Sequence, residues 1–182
     1  MQDETVFIER LKDPKTRDAS YRELVAHHKE RLYWHIRKIV LNHDDADDVL
    51  QNTFIKVFNN LNGFKGDSRL FSWMYRIATN ESITFLNKKA RSLKVSSEGL
   101  QQKMVEKLEE DTYFNGDEIQ IKLQKAIATL PQKQRLIFNM RYFDELKYEE
   151  ISEILETSVG GLKASYHHAK KKIENYLINS FD

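Results

Sequence analysis

The sequence predicts an all-α chain of two small helical domains joined by a flexible acidic linker. Three observations lead there. Breakers are scarce, with six Gly and two Pro in 182 residues, while apolar residues recur at intervals of three and four, the period of amphipathic helices. Charge is segregated although the net formal charge is only +1. In 69–91, Arg69, Arg76, Lys88, Lys89 and Arg91 stand against Glu81 alone, and in 162–176 Lys163, Lys170, Lys171 and Lys172 stand against Glu174 alone. Between these patches lies an acidic stretch holding Glu106, Glu109, Glu110, Asp111, Asp117 and Glu118. Two basic patches on an acidic tether point to polyanion contact at two places. The divisions follow as residues 1–91, a linker over 92–118, and 119–182. At this length each domain buries a modest core.

Composition excludes several classes of function. There is no Cys, hence no disulfide framework, cysteine zinc site or thiol nucleophile, in keeping with a reducing cytosol. The opening residues MQDETVFIERLKD are acidic and carry no apolar core segment. No later run approaches the ~20 apolar residues of a membrane span. The expectation is a cytoplasmic protein with no direct membrane insertion.

Beginning at Asp44, the residues Leu50, Phe54, Val57, Phe58 and Leu61 share one helix face, and Asp47, Asp48, Gln51, Asn52 and Lys56 fall largely on the other. The segment 62–68, with Gly63 and Gly66, breaks the helix. A second helix follows with Phe71, Met74, Ala78 and Phe85 inward, and with Trp73, Arg76, Asn80 and Asn87 along another face. Around Ser96, Ser97, Glu98 and Gly99 the periodicity fades into a partly helical or flexible spacer.

Past the linker, Ile119, Leu123 and Ile127 begin a helix ending before Pro131, which suits the first turn of the next. That helix runs through Leu136 and Met140. The run KYEEISEIL then forms a short helix burying Ile151, Ile154 and Leu155. A turn at Glu156 and Thr157 leads to a helix capped by Ser158. This is helix-turn-helix spacing. In the last helix Val159, Leu162, Tyr166, Ala169 and Ile173 mark the core side. The outward face carries Gly160, Ala164, His167, His168 and Lys171, flanked by Lys163, small residues for close approach to a groove and cations for phosphates.

Two long runs resemble a known family. DDADDVLQNTFIKVFNNLNGFKGDSRLFSWMYRIATNESITFLNKKAR resembles region 2 of the sigma-70 family, and ATLPQKQRLIFNMRYFDELKYEEISEILETSVGGLKASYHHAKKKI resembles its region 4. Nothing resembles the intervening region 3, a layout similar to that of the extracytoplasmic-function group. The resemblance covers about 20–91 and 119–178. It implies a non-enzymatic initiation subunit that binds core RNA polymerase, recognises −10 and −35 promoter elements and promotes −10 opening, without a cofactor of its own.

By resemblance, Asp47, Asp48, Gln51, Asn52, Phe54 and Ile55 match the surface that holds the clamp coiled coil of the largest polymerase subunit. Carboxylates and amides there can pair with Arg side chains of a partner, and Phe54 or Ile55 can supply an apolar anchor. The loop Phe64, Lys65, Gly66, Asp67 and Ser68 matches the segment that captures a flipped −10 base, with Gly66 giving backbone freedom and Phe64 a stacking surface. Lys56, Trp73, Tyr75, Arg76 and Asn80 match positions that contact −10 DNA. Ser158, Lys163, Ala164, Ser165, His167, His168 and Lys171 match the part of the last helix that reads the −35 element. The chain departs from the common pattern in having Ser165 and His168 where many members place Arg, and Lys147 where Ser or Thr usually caps. Fewer guanidiniums mean fewer bidentate guanine contacts. Further partners the resemblance implies are promoter DNA, the polymerase flap for region 4, and an anti-sigma factor, commonly membrane-anchored in this group.

Plainer readings stand beside these. Trp34, Phe71 and Phe85 read as core. Asp44, Asp45, Asp47 and Asp48 suit a helix N-terminus better than a metal cluster. His27/His28 and His167/His168 are adjacent rather than i,i+4 and make poor ligand pairs; the first pair reads as surface. Lys88, Lys89 and Arg91 read equally as a solvated helix end and as phosphate contacts. A metal-dependent hydrolase has no supporting ligand spacing. A free-standing helix-turn-helix regulator is the alternative, and it leaves 46–91 without a purpose. Two small domains on a tether can dock and mask their own DNA surfaces.

Overall fold

A computed structural model describes residues 4–110 and 118–180, with the side chains of 109 and 110 left aside. All regular structure among these residues is helical. The order is α1 (Glu4–Lys12), α2 (Arg17–Val40), α3 (His43–Asn60), α4 (Leu70–Ser92), α5 (Ser97–Glu106), α6 (Glu118–Ala128), α7 (Gln132–Tyr142), α8 (Tyr148–Leu155) and α9 (Val159–Asn179).

Local chemistry sets these boundaries. Helix α2 ends at Leu41, in the left-handed region at φ 56°. Asn42 then caps α3, its side-chain oxygen accepting from the Asp45 N–H at 2.9 Å, and Asp44 and Asp45 sit where the helix dipole favours anions. Lys89 near the end of α4 pairs with Asp45, so the α4 terminus is tied to the start of α3. A 3₁₀ turn over Leu61–Gly63 closes α3, and Gly66 takes φ +80°, a conformation costly for any residue with a Cβ.

The predicted inward face of α3 and α4 is buried at Leu50, Val57, Leu61, Met74 and Ala78. Phe54, Phe58, Phe71 and Phe85 are half-buried at its edge. Trp34 is also half-buried. His28, read as surface, is half-buried too, with its ring 6.1 Å from Phe71. Ile119, read as starting the apolar stripe of α6, is 71% exposed, and that stripe rests on Ala126 and Ile127 instead.

Two departures concern how the halves join. The stretch read as a partly helical or flexible spacer is helical over α5, capped by the Ser96 hydroxyl at the Gly99 N–H (3.0 Å), and it is packed rather than free. Leu100, Met104 and Val105 of α5, and Leu108 after it, are buried. Ordering these side chains is favoured because each removes apolar surface from water. Asp111 and Asp117 lie outside the described residues, as do residues 181 and 182 of the second domain. The halves also do not keep wholly separate cores. Leu136, Ile137, Met140, Leu146, Ile151, Ile154 and Leu162 join the apolar cluster of α2, α3 and α4. A smaller cluster of Ala126, Ile127, Leu130, Phe138, Ala169 and Ile173 belongs to the C-terminal half alone.

Candidate functional site

Three surfaces bring together the residues singled out by sequence. On α3, Asp47, Asp48, Gln51 and Asn52 are all exposed, and Ile55 is 53% exposed beside them. Between α2 and α3 runs a shallow groove of about 360 Å³ lined by Tyr21, Val25, Gln51, Phe54, Ile55 and Phe58. Tyr21 fixes its wall by donating from its hydroxyl to the Phe54 carbonyl at 2.6 Å. An acid and amide rim beside an apolar groove suits a partner that offers cations around an apolar side chain.

The second surface is the loop after α3 with the adjoining face of α4. Lys65, Gly66 and Asp67 are exposed and Ser68 is half-buried. Phe64 is not a stacking surface here. It is 5% exposed, with its ring centroid 4.9 Å from that of Trp73, because the turn folds it back onto α4. Tyr75 likewise does not reach the surface: it is fully buried, its ring 4.5 Å from His35. One residue per turn of α4 faces α2, and Tyr75 shares that face with Ala78 and Thr79. Of the remaining α4 residues, Trp73 and Arg76 are half-buried and Asn80 is exposed. Lys56 of α3 is paired with Glu81 of α4 at 2.5 Å.

The third surface is α9. Ser158 caps it, its hydroxyl accepting from the Gly161 N–H at 3.2 Å. Lys163, Ala164, His167, His168 and Lys171 are exposed and Ser165 half-buried. Leu162, Ala169 and Ile173 anchor the opposite face. The turn before α9 is made by Glu156 in the left-handed region at φ 50°. Lys147 offers no acceptor to cap α8. Instead the Glu150 carboxylate accepts from the Lys147 N–H at 2.8 Å, the reverse half of a capping box.

The helix-turn-helix leans on α4. Arg76 Nη1 donates to Glu156 Oε1 at 2.7 Å and its Nη2 to the Glu153 carbonyl at 2.5 Å. Arg69 pairs more loosely with Glu150 at 3.4 Å. Deeper in the junction, Asp144 Oδ2 lies 2.9 Å from His35 Nδ1, and Lys38 donates to Oδ1 at 2.6 Å. His35 Nε2 meets the Thr79 hydroxyl of α4 at 2.9 Å, so one imidazole bridges both halves. Burial alone raises the Asp144 carboxyl, but hydrogen bonds and charge from His35 and Lys38 outweigh it and hold it below the ordinary value. None of His35, Lys38, Asp144 or the α8 carboxylates was singled out from the sequence. The spacing of Glu150 and Glu153 on one face of α8, with Glu156 three residues on just past its end, was the available signal.

No helix among the described residues is long and apolar enough to cross a membrane. Among the same residues no group of three or more His, Cys, Asp or Glu is placed to hold a metal ion.

Comparison with known proteins places the chain in a family. A family model described as Sigma-70 region 2 matches residues 24–92, and one described as Sigma-70, region 4 matches 120–173. The ECF RNA polymerase sigma factor SigW of Bacillus subtilis is 29% identical, over 96% of this chain and 98% of its own. The ECF RNA polymerase sigma-E factor of Escherichia coli K12 is 26% identical, over 93% and 92%. Among solved structures, CnrH in complex with the cytosolic domain of CnrY superposes with a TM-score of 0.70 at 18% identity, covering 97% of both chains. The sigma factor RpoE of Bartonella quintana, in complex with the anti-sigma factor NepR, gives 0.65 at 19%, covering 86% of this chain and 96% of that one. With region 2 and region 4 models matched in order, and relatives of the same group aligned over nearly its whole length, the chain belongs to the sigma-70 family, in its extracytoplasmic-function (ECF) group.

Proposed function

We propose that this chain binds core RNA polymerase and gives it promoter specificity, reading −10 and −35 elements and promoting opening at −10. The observation that carries the reading is one chain presenting an acid-rimmed apolar groove on α3, an exposed loop and polar face at α4, and a helix-turn-helix whose last helix faces outward with cations. A free-standing regulator needs only the last of these. In this division of labour, Asp47, Asp48, Gln51, Asn52, Phe54 and Ile55 take the clamp coiled coil. The loop Phe64–Ser68, with Lys56, Trp73, Arg76 and Asn80, takes the unpaired −10 strand. Lys163, Ala164, Ser165, His167, His168 and Lys171 face the −35 major groove, behind the cap Ser158. Phe64 meets a base only if the loop rearranges, and Tyr75 supports the site from beneath. Nucleotide addition belongs to the polymerase, and the protein works in the cytoplasm.

The docked arrangement leaves α9 open and occupies Arg76. The Glu156 carboxylate and the Glu153 carbonyl take the place that DNA oxygens would have at this guanidinium. The contact is imperfect, since Arg76 Nε and Glu153 Oε2 are buried without a hydrogen bond among the described residues. Such atoms cost stability, so this contact holds less firmly than a fully paired one. Masking is therefore partial: it covers Arg76 on the −10 face and leaves the −35 helix α9 exposed. An anti-sigma factor is a further partner we propose, supported by the two similar structures having been solved with bound partners.

The test is run-off transcription with bacterial core polymerase on a pool of promoter fragments, with gel filtration alongside. Discrete starts and co-elution with core are expected. No starts, no co-elution and tight sequence-specific binding by the free protein would establish the free-standing regulator instead.

A further inference from the structure

Helix α1 precedes every motif used above, and its two ends reach the two ends of the α3–α4 loop. Near its start, Glu4 Oε1 accepts from the Leu70 N–H at 3.0 Å, capping α4 where the loop finishes. At its last residue, the Lys12 ammonium donates to the Phe64 carbonyl at 2.5 Å, where the loop begins. Arg69, the residue at the α4 N-cap position, makes no side-chain cap hydrogen bond, so the cap comes from α1. Helix α1 is itself anchored. Leu11 is fully buried, Phe7 and Ile8 pack on the same core, and Arg10 pairs with Glu23 of α2 at 2.9 Å.

A helix from Glu4 to Lys12 is roughly 12 Å long, whereas the six residue-to-residue steps from Phe64 to Leu70 reach about 20 Å when extended. A rigid rod fastened at both ends therefore keeps the loop arched, with Lys65, Gly66 and Asp67 on its crest. We propose that α1 is a positioning brace for the −10 loop, with Glu4 and Lys12 as positioning residues that set the loop's width and hence its base selectivity. Neither residue touches DNA. The inference rests on the reading of Phe64–Ser68 as the loop that takes a −10 base.

The test uses full-length protein and reconstituted holoenzyme. Glu4→Ala and Lys12→Met remove the two ties, Glu4→Gln and Lys12→Arg restore them, and Asp67→Ala alters the crest itself. Hydrogen exchange is read on the free protein, and open-complex formation on promoters carrying each base in turn across −10. The brace predicts that the Leu70 amide exchanges about fivefold faster in Glu4→Ala, the size of a lost N-cap. It also predicts that Glu4→Ala and Lys12→Met flatten base preference at one −10 position, that the conservative variants recover it, and that affinity for core is unchanged. A merely structural role would lower activity on all four bases alike, and that result would overturn the brace. Preference lost in Asp67→Ala but kept in both α1 variants would also overturn it, leaving the loop reading intact. Preference unchanged in all three variants would overturn the loop reading and the brace with it.

Discussion

Arg76 of α4 is held at 2.7 Å by Glu156, the residue that ends α8. A side chain proposed to meet −10 DNA is thus engaged by the C-terminal half, a carboxylate occupying a guanidinium otherwise available to phosphate or base edges. The pair is open to water, the side chains being 33% and 73% exposed. It adjusts affinity without locking the protein shut.

Glu156→Ala should accordingly raise the affinity of the free protein for a single-stranded −10 oligonucleotide by at most about fivefold, the range of an exposed ion pair. The gain should shrink at high salt, where such pairs are screened. Fluorescence anisotropy at two ionic strengths measures it. Unchanged affinity at low salt would show that Arg76 is not restrained by this contact.

The buried Asp144 cluster should matter more to stability. Asp144→Ala leaves Lys38 and His35 facing each other without their shared anion, a change that typically costs about 3–5 kcal/mol. Urea unfolding should register it. The same cluster sets a pH response: a carboxyl held below its ordinary 3.8 contributes stability above that value, lost as pH falls through the lowered one. His28 acts higher on the scale. Burial, then His27 and Arg31, push it from 6.5 to about 4, so the unfolded chain takes up its proton first and stability declines from about 6.5 toward about 4. Unfolding free energy should therefore fall as pH drops below neutrality. His28→Gln should flatten the upper part of that decline and Asp144→Asn the part below about 3.8.

How much of this the sequence carried depends on distance along the chain. Helix faces such as Leu50 and Val57 on α3, continued by Leu61 just after it, were legible because a local period reports them. So was the Ser158 cap, which needs only its neighbours. Phe64 and Tyr75 were misplaced because a turn's fold-back and the facing helix decided their burial, and neither is written locally. Arg76 with Glu156, and His35 with Asp144, join residues 80 and 109 positions apart. Helix α5 was partly hidden by Gly99 and by a short apolar stripe whose partners lie on α4 and α6.

Separating the two halves of the proposed work calls for two variants. Asp48→Arg reverses a charge on the exposed α3 rim and should weaken core binding at least about tenfold, as a truncated or reversed interfacial charge does. Asn80→Ala should keep core binding and impair opening at −10. If both altered polymerase affinity alone, the assignment of α3 and α4 would be wrong.

Tyr75 distinguishes support from contact. Tyr75→Ala should cost about 3–5 kcal/mol in stability as a buried aromatic truncation, seen as a lower urea midpoint. Tyr75→Phe should open promoters as the parent does, because the hydroxyl's contact to the Arg31 carbonyl is a long 3.4 Å one. A Phe variant that folds normally but fails at −10 would put the hydroxyl on DNA after all.

On α9, Lys163→Ala and Lys171→Ala should weaken binding across −35 sequences alike, each lowering the salt slope by about 1. His168→Ala should instead shift preference among −35 sequences. Competition binding with holoenzyme at several salt concentrations separates the two behaviours.

The central claim is that this chain, together with core polymerase, opens promoter DNA at −10. Permanganate footprinting tests it most directly, since only unpaired thymines react. The account predicts reactive thymines within −10 when chain and core are both present, weaker reactivity with holoenzyme carrying Asn80→Ala, and none with either component alone. Reactivity with core alone, or a fully paired −10 region under a bound holoenzyme, would contradict it.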